Sequence, residues 1–182
     1  MLDTRFFREK ASFLGADQMQ WLEEQLLDCK GPFIILTSGT MWCDYVSKGK
    51  DSWGVWDPQG RERLFSFIEK HRIPGVLLVS GDRHGARGFR IPRPSGFAFH
   101  EFEPASLGGR SGPPVTNPEW KDVQLFGYSA IYAFGEFTID ATLPDPVAIF
   151  RLIHESGQVL EEIALKRSRL TPPRRLPAAQ AR

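Results

Sequence analysis

The run Val76-Leu77-Leu78-Val79 is preceded by Pro74-Gly75 and followed directly by Ser80-Gly81-Asp82-Arg83-His84-Gly85. A short segment that is apolar at every position, not at every second one, fits a parallel strand covered on both faces. Open α/β sheets carry their chemistry at the carboxyl ends of such strands, which is where these polar residues fall. Asp82 and His84 are two apart, so an extended backbone would turn both side chains to the same side. Gly81 and Gly85 would let the chain turn closely around an ion. A carboxylate and an imidazole presented together suit a metal. The alternative is an Asp that caps the next turn and a His satisfied by backbone.

The rest of the chain alternates and then changes character. Asp17 to Asp28 places Met19, Leu22 and Leu26, with Trp21 and Leu27, on one broad helical stripe that Lys30-Gly31-Pro32 stops. Phe33 to Thr37 reads as a buried strand. The segment from Ser38 to Asp57 is a long loop rich in Trp42, Trp53 and Trp56, and aromatic residues argue against disorder. A second helix has Pro58 near its first turn and Leu64, Phe65, Phe67 and Ile68 as its buried side, and it leads into the Val76 to Ser80 strand. This strand-helix-strand order implies a crossover and a parallel pair. Beyond His84 the pieces are strand-like: 88–91, 97–102, 129–139, 147–154 and 159–165, with Ser156-Gly157 as a hairpin turn. The second half is mostly β.

Composition narrows the function classes. At 182 residues, 41% hydrophobic and 25% charged, the chain has enough apolar surface for a substantial core. The formal net charge is +1 with both signs mixed along the length, so the chain lacks the field that nucleic-acid binding needs. Residues 171–182, around Pro172-Pro173 and Arg174-Arg175, read as a disordered tail beyond the domain. Cys29 and Cys43 are too few for a disulfide framework or a zinc knuckle and read as free thiols. No apolar stretch approaches the ~20 residues of a membrane span, and the opening Met1-Leu2-Asp3-Thr4-Arg5 does not read as a signal peptide.

Several pieces stand in a recognisable order: Leu2-Asp3-Thr4-Arg5, Phe13-Leu14-Gly15 through Gln18 into Trp21-Leu22, Asp51-Ser52-Trp53-Gly54 with Arg61 and Leu64, and Ser80-Gly81-Asp82-Arg83-His84. This ordered set resembles the alkaline phosphatase D (PhoD-like) family of calcineurin-like metallophosphoesterases over about residues 2 to 170. The resemblance implies an α/β fold, the C-terminal half of an αββα sandwich over residues 1–170, with βαβ units followed by mainly antiparallel strands. It implies metal-dependent hydrolysis of phosphate mono- or diesters, with calcium and iron as the family's metals and manganese or zinc as alternatives. Members of the family are often exported. Asp82 and His84 match the family's Gly-Asp-x-His as metal ligands, and the match extends to Asp51, which is either a further oxygen ligand or the cap of the turn before Trp53.

The sequence also departs from the pattern. The superfamily's Asp-x-His, its Gly-Asp-x-x-Asp and its Gly-Asn-His-Asp/Glu block are absent, so most of the expected metal site is missing. Arg5 and Arg83 are candidates for the phosphate oxygens, since guanidinium forks match phosphate geometry, against the alternative of surface or ion-paired arginines. Trp42, Trp53 and Trp56 either wall the pocket or pack the core. His71 reads as a helix-end surface residue, and His100 and His154 as strand residues. Ser106 reads as a turn residue, not as a nucleophile. Two functions follow: a metal-dependent phosphoesterase represented by its C-terminal half and truncated of the N-terminal metal-binding motifs, or a noncatalytic remnant or partner-completed half that acts as a binding module; the missing N-terminal half is a candidate partner.

Overall fold

The computed structural model describes residues 2–9, 12–46, 52–104, 106–110, 112 and 116–174. Helix α1 spans Gly15–Asp28 and buries Met19, Leu22 and Leu26. Trp21 and Leu27, expected on the same stripe, are turned outward and are 48% and 51% exposed, because the helix touches the sheet along a narrower face than the sequence allowed. Strand β1 (Ile34–Thr37) follows, then a one-turn helix α2 (Trp53–Trp56) and helix α3 (Pro58–His71). Pro58 opens α3, where a missing N–H costs nothing, and the Asp57 carboxylate accepts from Gly60 N at 2.7 Å as its cap. Arg72 closes the helix in the left-handed conformation, at φ 51°. Leu64, Phe65 and Ile68 are buried, whereas Phe67, expected with them, is half-buried.

The expected crossover is present. Strand β2 (Val76–Val79) lies parallel to β1 in the register Ile34 to Val76 and Thr37 to Val79. Strand β3 (Ala86–Pro92) and strand β4 (Ala98–Pro104) form a hairpin, and β4 inserts beside β2 in parallel. Strand β5 (Gln124–Tyr128) pairs with β3, giving a five-stranded sheet of order β1-β2-β4-β3-β5. Strands β6 (Ala133–Asp140), β7 (Val147–His154) and β8 (Val159–Lys166) form a separate antiparallel meander. The strand expected over 129–139 is therefore β6, displaced toward the C-terminus, and β5 before it was not anticipated. Gly157 turns the last hairpin at φ 84°.

The two faces of the five-stranded sheet are covered differently. Leu36, Leu78 and Phe99 face the helices, where Phe65 of α3 stacks on Phe99 with ring centroids 4.1 Å apart. Leu77, Phe102 and Phe126 face the three-stranded sheet, where Phe102 meets Phe150 at 4.3 Å. The layers are thus helices, mixed sheet and antiparallel sheet. Strand β1 is an edge of the larger sheet, and Leu2 N donates to the Thr37 carbonyl at its carboxyl end. After β8 the chain passes through a 3-10 turn, Arg167–Leu170, and Arg72 Nε donates to the Pro172 carbonyl at 3.2 Å. Most of the segment read as a tail, 175–182, lies outside the described residues.

Phe102 is fully buried and touches Phe126, Phe137 and Phe150, so it joins both sheets. Phe102→Ala is expected to destabilise the fold by about 3–5 kcal/mol, read as a lowered midpoint in urea unfolding.

Candidate functional site

Beyond the carboxyl end of β2 lies a cavity of about 280 Å³ lined by Asp82, Arg83, His84 and Arg110, with Val46, Arg87 and Gly112 completing it. The turn that presents Asp82 and His84 differs from the expected extended one. Both residues are themselves left-handed, at φ 79° and 54°, while neither Gly81 nor Gly85 has positive φ. Side chains other than glycine rarely take this conformation, and they hold it only where the surroundings over-determine it. Here the surroundings are Glu103 and Arg87. The Arg83 backbone N–H donates to Glu103 Oε1 at 2.8 Å, and the Arg83 carbonyl accepts from Arg87 Nη2 at 3.3 Å. Arg87 Nε and Glu103 Oε2 are 3.2 Å apart, with side chains 1% and 2% exposed. One buried ion pair therefore holds both backbone polar groups of Arg83, the residue between Asp82 and His84. Burial works against both charges, pushing the Glu103 carboxyl up and Arg87 down, while their mutual attraction opposes each shift.

The connection after β1 lends Val46 to the cavity lining and is fastened to the sheet behind it. Glu101, fully buried, accepts from Trp42 N at 2.7 Å, from Cys43 N at 2.9 Å and from the Ser80 hydroxyl at 2.6 Å. Burial pushes its carboxyl up and these three donors pull it back. The same desolvation, with Glu101 beside it, pushes the Cys43 thiol well up, which keeps it a neutral packing group. Trp42 and Trp53 have no solvent exposure and stack at 5.0 Å, so these two pack the core and do not wall the cavity. Trp56 packs partly against the same core, with the Arg8 guanidinium 4.0 Å above its ring.

The sequence-derived candidates divide as follows. Asp82 and His84 line one cavity together with Arg83, and Arg5 approaches Asp82 with Nη2 3.7 Å from Oδ2. The Asp3 carboxylate shapes the turn that carries Arg5, accepting from Arg5 N and Phe6 N at 2.9 Å each. Those two bonds hold the Asp3 carboxyl below its usual range. Asp51 lies outside the described residues. Arg110 was not anticipated, and it contributes through its backbone: the His84 ring Nδ1 is 2.8 Å from the Arg110 carbonyl oxygen. A carbonyl only accepts, so Nδ1 is the donor, and the tautomer this selects is the one with its lone pair on Nε2. Gly112 N also donates to the His84 carbonyl, and a Cβ at Gly112 would lie 2.0 Å from that oxygen.

A histidine whose second nitrogen is committed to a backbone carbonyl has the arrangement usual for a metal ligand. The donor set is nonetheless short. Among the described residues no group of three His, Cys, Asp or Glu side chains is placed to hold a metal ion. What the described residues present is two donors on one wall, with cationic groups around them.

A family model described as PhoD-like phosphatase matches residues 2–143. The chain belongs to the PhoD-like phosphatase family. No curated protein matches it. A solved structure titled "Structure of PhoD" superposes with a TM-score of 0.58 at 16% identity, covering 88% of this chain and 41% of its own. Purple acid phosphatase PPD1 from yellow lupin (Lupinus luteus) seeds superposes with a TM-score of 0.56 at 17% identity, covering 84% of this chain and 28% of its own. The likeness establishes the fold, and the mixed α/β architecture expected from sequence is the one found. This PhoD-like chain spans about two fifths of the length of the first structure and under a third of the second.

The Arg87 and Glu103 pair gives a direct test of what supports the turn. Glu103→Gln keeps an acceptor for Arg83 N but leaves the buried Arg87 charge unbalanced, and is expected to cost about 3–5 kcal/mol in chemical denaturation. Replacing both partners with Met is expected to recover most of that loss.

Proposed function

We propose that this chain supplies one wall of a metal-dependent phosphoesterase centre, with His84 through Nε2 and Asp82 through its carboxylate as ligands. Asp51 is proposed as a further oxygen ligand. The observation that carries the reading is the bond from His84 Nδ1 to the Arg110 carbonyl, which fixes the tautomer that a ligand requires, beside Asp82 in the same cavity. A bound metal pair would neutralise phosphate oxygens and supply a nucleophilic water at neutral pH. Calcium and iron are the first choices from the family, with manganese and zinc behind them.

The protein's own residues have separable tasks. Arg83 lines the cavity, and Arg5 reaches it from the amino-terminal turn. Both are proposed to orient the equatorial oxygens of the ester, since a guanidinium offers paired donors at phosphate spacing. Arg5 is also the cation that a bound metal would displace from the Asp82 carboxylate, whose Oδ2 lies 3.7 Å from Arg5 Nη2.

These ligands do not complete a two-metal site, so the remaining donors are proposed to come from a segment that pairs with this one. The edge strand β1 supports that reading. Ile35 on it is 40% exposed, next to the outward-turned Trp21, and a groove of about 500 Å³ runs between them over Leu2, Leu22 and Leu26. Natural sheet edges normally carry charge or proline, and Ile34-Ile35-Leu36-Thr37 carries neither. The noncatalytic reading would leave this edge as a binding surface without hydrolysis.

Hydrolysis of an aryl phosphate separates the two. The chain alone, with calcium, iron, manganese or zinc added, is expected to show no turnover above background. Co-expressed with the N-terminal half of a full-length PhoD-like protein, it is expected to gain metal-dependent activity that falls by at least about tenfold in His84→Ala and Asp82→Ala. Turnover by the chain alone that is unchanged in His84→Ala would defeat the proposal.

A further inference from the structure

A second cavity, of about 530 Å³, lies between the β3–β4 hairpin and the end of β8, lined by Arg90, Phe97, His100, Leu165, Lys166 and Arg169 among others. It shares no residue with the Asp82 cavity and sits toward the amino end of β4, whereas that one lies past the carboxyl end of β2. Its volume is in the range of small-molecule sites.

Its charge is one-sided. Arg90, Lys166 and Arg169 line it, and none of the described lining residues carries a carboxylate. Asp145, which senses Lys166, does not line the cavity and is held instead by Ser168, through the backbone N–H at 3.0 Å and the hydroxyl at 2.6 Å. The strand register sets Arg90 directly opposite His100, a pairing of two basic residues that would repel if both were charged. Burial and the Arg90 charge push His100 down to about 4 against a backbone hydrogen bond with Ala98, so the imidazole is neutral. Its Nδ1 is buried and has no hydrogen-bond partner. A buried polar atom without a partner is uncommon in folded proteins and marks a place where a ligand or water belongs. Three cations around a neutral imidazole whose Nδ1 is left without a partner, with Phe97, Ala98 and Leu165 as apolar lining, describe a site for a small, multiply charged anion attached to a carbon skeleton.

We propose that this cavity binds a small phosphate monoester, with Arg90, Lys166 and Arg169 around the phosphate and Phe97 and Leu165 against the organic group. A dianion matches the accumulated positive charge better than a single carboxylate does, and the arginine forks suit its oxygens. The proposal does not depend on the hydrolase reading, because the two cavities are separate.

The test is a site-resolved titration of the full chain by amide NMR in EDTA, with phenyl phosphate as the probe and phenol and inorganic phosphate as comparators. Phenyl phosphate is expected to shift the amides of Gly96, Ala98, His100 and Lys166 saturably, inorganic phosphate to shift them more weakly, and phenol not at all. The double substitution Arg90→Gln with Arg169→Gln is expected to weaken this binding about tenfold or more, while His84→Ala leaves it unchanged. Lys166→Gln serves as a milder second variant, and thermal melts confirm that each variant is folded. Absence of saturable shifts at these amides would overturn the proposal. Shifts that survive undiminished in the arginine variants, or that phenol reproduces, would overturn it as well.

Discussion

A carboxylate removed from water needs donors arranged around it, and at Glu101 those donors come from two separate loops. Trp42 N and Cys43 N belong to the long connection after β1, and the Ser80 hydroxyl belongs to the end of β2. The acid on β4 therefore fastens both connections to the middle of the sheet. Two residues further along the same face, Glu103 repeats the arrangement with Arg83 N and the Arg87 guanidinium. The spacing is that of alternate strand residues, so both carboxylates point to the helix side from one rigid element. The cavity walls inherit their positions from β4, although β4 itself contributes no lining residue to that cavity.

This dependence explains the unusual backbone of the turn. Asp82 and His84 each sit in a conformation that an L-residue takes at a cost, and Arg83 between them is gripped at both its backbone N–H and its carbonyl. The buried pair beneath is itself an expensive arrangement, since each partner loses solvation that the other only partly restores. Burying such a pair adds little to stability. Its effect is geometric: the two side chains enter the same cavity from a bend instead of from a straight strand.

Much of this architecture was legible in the sequence, for identifiable reasons. Val76 to Val79 and Phe33 to Thr37 are apolar at nearly every position, and the Pro58 helix between them left only a crossover. Strand β5 was missed because only Phe126 is buried in Gln124-Leu125-Phe126-Gly127-Tyr128, and a Gly interrupts it. Trp21 and Leu27 show the opposite error, apolar residues counted inward that face out beside an open sheet edge. The partners of the site were harder still. Glu101 and Glu103 look like the solvent side of an alternating strand, and a pattern of side chains does not reveal that a helix layer covers them. Arg110 acts through its carbonyl oxygen, an atom every residue possesses, so nothing in its identity announced it.

The termini of the described fold lie at opposite ends of the parallel strands. Leu2 bonds to Thr37 at the carboxyl end of β1, within reach of the turn that places Arg5 against Asp82. Leu170 bonds through its carbonyl to Gly75 N, at the start of β2. Among the described residues, Leu2 thus stands at the end of the strands that carries Asp82, and Leu170 at the opposite end. For protein engineering the two ends are not equivalent. A reporter or purification handle fused ahead of Leu2 would start beside the turn that carries Arg5 to Asp82, and so would share space with whatever approaches that carboxylate, whereas Leu170 lies at the opposite end of the strands.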